Sequence, residues 1–161
     1  QWQHALSLLD GVSRARLGPD LICCSAGIGA CAVCGRWQRA LSLLCGIREA
    51  ELAPNALSFT ACASACERAG QWQHALLLLE EFVGAGLEPD AIVYSSVLVA
   101  CERGGQWRRV LSLLRDMVEA SVDQDATCFR AGLCACEAGG RLQALSLLSD
   151  VDSLTAGFLS R

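Results

Sequence analysis

Trp2, Trp37, Trp72 and Trp107 are all the tryptophans in the chain, and each stands 35 residues after the one before it. Pro19, Pro54 and Pro89 keep the same interval, as do Gly35, Gly70, Gly105 and Gly140, and Cys31, Cys66, Cys101 and Cys136. Self-similarity at a fixed period of about 20 to 50 residues means stacked supersecondary units rather than one globular core. The period divides the 161 residues into units at 21–55, 56–90 and 91–125. Residues 1–20 read as the second half of a truncated unit and residues 126–161 as a degenerate last unit with its tail.

Unit 56–90 shows how each brick is built. Its first half carries Leu57, Ala61, Ala65 and Cys66 near helical spacing, with charge only at Glu67 and Arg68. Gly70 supplies the left-handed residue that ends a helix. The stretch GQWQHALLLL then restarts one, with Trp72, Ala75, Leu76, Leu79 and Phe82 drawing an apolar stripe along one face. Gly86 closes that helix, Pro89 turns the chain, and Asp90 is placed to accept from the free N–H groups of the next helix. Neither helix can bury its stripe alone, so the expectation is an all-α solenoid of helical hairpins in which stacking makes the core. Ala30, Ala65, Ala100 and Ala135, each followed by a cysteine, would let neighbouring helices approach closely.

The repeat also drifts. Gln124 stands where proline is expected, Leu142 replaces the tryptophan, and one residue is missing after Gln143. The chain opens on Gln1 inside a helix pattern, so a piece of a longer array is expected, any targeting segment lying upstream.

Composition narrows the chemistry. There is no lysine, which removes the phosphate-loop motif, and the net charge of −4 argues against a strong general attraction to nucleic acid. The uncharged run at residues 21–35, which no other exceeds, is too short for a membrane span of about 20 apolar residues. The eleven cysteines fall mostly on apolar helix faces, which suits packing in a reduced compartment better than disulfides. Cys31-x-x-Cys34, Cys62-x-x-x-Cys66 and Cys134-x-Cys136 lack the second pair or clustered histidines that would complete a zinc site. His4 and His74 alternate with Arg39 and Arg109 at one register, reading as a basic helix surface rather than a catalytic dyad. No nucleophile, metal or paired-carboxylate motif stands out, so no enzyme, cofactor or small-molecule substrate is expected.

The period, the Pro-Asp endings (Pro19-Asp20, Pro89-Asp90, with Pro54-Asn55 as a variant) and segments such as AIVYSSVLVAC together resemble the pentatricopeptide repeat family. Tetratricopeptide repeats, the other common helical hairpins, have the shorter period and a different placement of tryptophan, tyrosine and alanine. The resemblance covers nearly the whole chain. It implies a right-handed superhelix that reads single-stranded RNA one base per unit, in a chloroplast or mitochondrion, on transcript processing, stability, editing or translation.

Carried over residue by residue, the resemblance pairs Ser25 with Asn55, Thr60 with Asp90 and Ser95 with Asp125 as base readers. Ile22, Leu57 and Ile92 match aliphatic positions that sandwich the bases. Arg68 and Arg103 match a basic position facing phosphate, whereas Val33 and Ala138 at the same register are not basic. Arg130 occupies the reader position of the last unit and Leu159 its closing position, so no base-specific reading is expected there. The chemistry agrees: guanine's Watson–Crick edge offers two donors to a carboxylate, and an amide can answer adenine's donor and acceptor. The implied order is 5′-A-G-G-3′. Two other readings stay open, since Ser, Thr and Asp at helix starts are ordinary caps, and the same groove could hold a peptide or a partner helix of another protein.

Overall fold

The computed structural model describes residues 21–139, and these form seven α-helices. They are α1 (Leu21–Val33), α2 (Trp37–Glu49), α3 (Ala56–Arg68), α4 (Trp72–Gly84), α5 (Ala91–Arg103), α6 (Trp107–Glu119) and α7 (Ala126–Gly139). Successive odd-numbered helices begin 35 residues apart, and so do the even-numbered ones. The half-unit at 1–20, the drift at Leu142 and Gln143 and the closing position Leu159 lie outside the described residues.

Both kinds of turn are built from local sequence. After α1, α3 and α5 the chain passes through Gly35, Gly70 and Gly105 at φ +63°, +67° and +66°, a conformation in which only glycine avoids a Cβ clash. In each case two backbone bonds close the helix end, as where Gln71 N–H donates to the Cys66 carbonyl at 2.9 Å and Gly70 N–H to that of Glu67 at 3.1 Å. The second turn uses Gly86 at φ +73°, but Glu51 and Ser121 take the same place at φ +56°. Those two side chains are held left-handed at a cost that glycine avoids. Gln124, standing where proline was expected, donates its side-chain amide to the Leu114 carbonyl at 3.1 Å and ties the turn down differently.

The helices stack as a right-handed solenoid in two layers. Helices α1, α3 and α5 each pack against the next odd-numbered helix and against their own hairpin partner, and α2, α4 and α6 each lean on the first helix of the following unit. The core runs continuously through this stack, with Ile28, Phe59, Phe82, Val97, Leu98 and Met117 buried. Ala65, Ala100, Cys31, Cys66 and Cys101 are buried where the odd-numbered helices meet, as the small-residue register implied. All eleven cysteines are free thiols. Burial pushes the thiols of Cys66 and Cys101 up to about 11, which keeps them protonated and apolar at neutral pH.

Trp37, Trp72 and Trp107 sit half-buried at the starts of α2, α4 and α6. A Cβ placed on Gly104 would come within 2.2 Å of Trp72 Cδ1, so that residue must be glycine for packing and not for its φ of −81°. His74 corrects one expectation from sequence: its ring lies 4.6 Å from that of Trp37 and its Nδ1 is buried, so it is a packed ring between units rather than part of a basic surface. Arg39 and Arg109, at the same register, are exposed. No helix of the described residues is long and apolar enough to cross a membrane.

Candidate nucleic-acid interface

The N-terminal ends of the odd-numbered helices carry the side chains expected to read bases. Asn55 caps α3, Asp90 caps α5 and Asp125 caps α7, in each case through Oδ1. Asn55 accepts from Ser58 N–H at 2.9 Å, Asp90 from the N–H groups of Ile92 and Val93 at 3.1 and 3.0 Å, and Asp125 from Cys128 N–H at 2.9 Å. The bond from Cys128 lowers the Asp125 carboxyl below its ordinary range. Capping and base reading therefore do not exclude each other. A cap uses one oxygen and leaves the rest of an exposed side chain at the surface.

Four of the expected residues meet in one place. Ile22, Ser25, Asn55 and Leu57 line a single open groove of about 400 Å³ between α1 and α3, with Ala26, Gly29 and Ala61 as its small-residue floor. Ile22 and Leu57 stand out from the protein at 74% and 66% exposure, as does Ile92 at 59%, so the same register presents an aliphatic side chain to the surface in three successive units. Thr60 and Ser95, at the Ser25 register, are half-buried, and Asp90 and Asp125 are exposed. Ser25 itself is only 8% exposed, so its contribution to the groove is one edge of a hydroxyl.

Each of these hydroxyls lies within bonding distance of a backbone carbonyl of its own helix. Ser25 Oγ lies 2.7 Å from the Leu21 carbonyl, Thr60 Oγ1 donates to that of Ala56 at 2.8 Å, and Ser95 Oγ to that of Ile92 at 3.1 Å. A hydroxyl has one proton. With it turned back into the helix at Thr60 and Ser95, the oxygen lone pairs are what those two side chains have left to offer.

Arg68 and Arg103 lie at the far ends of α3 and α5, twelve residues and so roughly 18 Å along the axis from each helix start. Both are exposed, and both reach back to the preceding unit. Arg68 Nη1 donates to the Val33 carbonyl at 3.5 Å and Arg103 Nη1 to that of Glu67 at 3.0 Å. They thus satisfy carbonyls at the end of the neighbouring helix, a role the sequence did not suggest. A guanidinium has five N–H donors, so one such bond leaves donors for an anion.

Arg130, on the reader register of the last unit, is held by Glu102 Oε1 at 2.7 Å. Its charge is matched by a carboxylate of the preceding unit. No group of three or more His, Cys, Asp and Glu side chains among the described residues is arranged to hold a metal ion.

Comparison with known proteins adds an independent line. The family model described as PPR repeat matches residues 57–87 and 92–122. No curated protein sequence matches the chain. Among solved structures, the PPR domain of Arabidopsis thaliana protein-only RNase P 1, in complex with tRNA, superposes with a TM-score of 0.73. It is 16% identical, over 96% of this chain and 90% of that one. The pentatricopeptide repeat protein PPR10 in complex with an 18-nucleotide psaJ RNA element superposes with a TM-score of 0.71 at 25% identity. PPR10 from maize does so at 0.62 and 23%. This chain spans 23% and 27% of the length of those two PPR10 chains.

Proposed function

We propose that the chain is a pentatricopeptide repeat array, two of whose units match the family model, and that it binds single-stranded RNA without chemically altering it, one base to each of the units 21–55, 56–90 and 91–125. The observation that carries the proposal is the groove in which Ile22 and Leu57 flank the Ser25 and Asn55 polar groups. A base slid between the two aliphatic side chains would cover apolar surface on both its faces and meet the polar pair along its edge. The solved PPR10 and protein-only RNase P 1 relatives, both bound to RNA, support the same reading.

Thr60 with Asp90 and Ser95 with Asp125 repeat the arrangement, with Leu57 and Ile92 as the shared partitions. The acceptor hydroxyl beside a carboxylate suits guanine, whose Watson–Crick edge presents two donors, and Asn55 suits adenine. The preferred order is 5′-A-G-G-3′. Arg68 and Arg103 serve the phosphates with the N–H donors their carbonyl bonds leave over. A chloroplast or mitochondrial setting, and a role in processing, stabilising, editing or translating transcripts, belong to this reading through the family.

A titration of the chain against single-stranded RNA containing A-G-G and against a scrambled control tests it. Binding to the first should be stronger. It should weaken with salt at a slope of about −0.7 per phosphate neutralised, and three bases make the affinity modest. Equal binding to both RNAs would remove the base assignments. Absence of RNA binding would favour a peptide or partner helix in the groove, the occupant to which the net charge of −4 and the engagement of Arg130 by Glu102 lean.

A further inference from the structure

Ser58 belongs neither to the reader positions nor to the partitions, yet it is fully buried and sits between the two readers of the first unit. Its Oγ is 2.9 Å from Ser25 Oγ and donates to Asn55 Oδ1 at 2.8 Å, while its own backbone N–H reaches the same Oδ1 at 2.9 Å. An N–H can only donate, so the atom it meets must be the oxygen of the amide, and a flipped amide would set N–H against N–H. A second donor on that oxygen occupies its other lone pair. The amide's Nδ2 is then the group left for the groove.

The protons of the serines settle the rest. Two hydroxyl protons serve three acceptor contacts: the Leu21 carbonyl, Asn55 Oδ1 and the bond between the two hydroxyls. With the Ser58 proton on Asn55 Oδ1, Ser25 donates to Leu21 or to Ser58, and in either case its proton stays inside the protein and it can only accept at the groove.

We propose that Ser58 is a positioning residue that sets the base specificity of the first unit, by holding Asn55 as a donor beside Ser25 as an acceptor. That pair is complementary to adenine, whose Watson–Crick edge offers an amino donor beside a ring acceptor. It is mismatched to guanine, whose corresponding atoms are reversed, an acceptor beside a ring N–H. The inference rests on the RNA reading above. It assigns part of the selectivity to a residue of the following helix, and it sets the first unit apart from the second. There Val93 occupies the Ser58 register and brings only a backbone N–H, so Asp90 keeps Oδ2 as an acceptor.

The test compares the chain with its Ser58→Val and Ser58→Thr variants on RNAs carrying 5′-N-G-G-3′ in a uridine context, N being each base in turn. Valine is already accommodated, buried, at the same register in Val93. Ser58→Val should lower the adenine-to-guanine preference at N by about five-fold, the effect of one lost hydrogen bond, with little change at the two following positions. Ser58→Thr, which keeps the hydroxyl, should hold the ratio within about two-fold. The reciprocal change supplies a second arm: Asp90→Asn with Val93→Ser should prefer adenine at the middle base more strongly than Asp90→Asn alone. An unchanged ratio at N in a Ser58→Val chain that still binds the RNA overturns the role of Ser58 and leaves the RNA reading standing. Failure of the unsubstituted chain to distinguish any of these RNAs overturns the RNA reading itself.

Discussion

The groove at Asn55 and the corresponding site at Asp90 are made by the same backbone and differ in what they offer a ligand. Helices α1, α3 and α5 begin at one register, and the caps of α3 and α5 are both extended, at φ −93° and −89°. In both, Oδ1 accepts from the N–H three residues on, Ser58 or Val93, and Asp90 accepts from Ile92 N–H as well. At Asn55 an additional hydroxyl from Ser58 covers the amide oxygen, whereas at Asp90 the side chain of Val93 is apolar and a carboxylate oxygen stays open. One scaffold therefore holds a donor in one unit and an acceptor in the next. Repetition fixes where a group stands, and two or three side chains decide which group it is.

The largest expected effect concerns packing that the units do not share. Ala69, at the Gly104 register, shows that the preceding unit accommodates a methyl group, but a Cβ on Gly104 would run into Trp72. Gly104→Ala should destabilise the chain by about 1–3 kcal/mol, visible as a lower urea midpoint. An unchanged midpoint would mean that Trp72 repacks freely and that the two units are interchangeable.

The comparison of the two sites themselves is sharpened by Asp90→Asn. Replacing the open carboxylate by an amide should move preference at the middle base from guanine toward adenine by about ten-fold, one to two hydrogen bonds' worth, as read in a binding selection. No change at that base alone would show that Asp90 serves only as a cap.

Smaller effects separate the turns and the thiols. Gly86 and Glu51 occupy the same left-handed position, so Glu51→Gly should stabilise the first unit by about 0.5–1 kcal/mol, whereas Gly86→Ala should do the opposite. Among the thiols, exposed Cys34 and Cys45 should react first with a thiol reagent in the native chain, and buried Cys66 and Cys101 only as it unfolds. Those two are raised to about 11 when folded, so on unfolding they release protons above the ordinary thiol range. Their contribution to stability is complete below that range and is lost as pH rises through about 11. Thermal unfolding at stepped alkaline pH would register this as a falling midpoint.

Much of the molecule was legible in the sequence because its structure is local. A left-handed glycine, an Asx cap and an apolar stripe act within a few residues of themselves, so Gly70, Asp90 and the stripe from Trp72 to Phe82 could be placed by spacing. Bonds that cross between units could not. Nothing in the linear order links Ser58 to Ser25, 33 residues away, Arg103 to the Glu67 carbonyl, 36 away, or His74 to Trp37. The burial of Ser25 was hidden for the same reason, since it depends on what the next unit lays over it.

The chain's own periodicity determined that helical hairpins would form, where they would turn and that their apolar faces would have to be shared, since each of those outcomes is settled by neighbours along the backbone. Which polar atoms remain open in the groove was decided only when α3 docked on α1. A side chain's last free lone pair or N–H depends on every partner within about 3 Å, and those partners come from another unit.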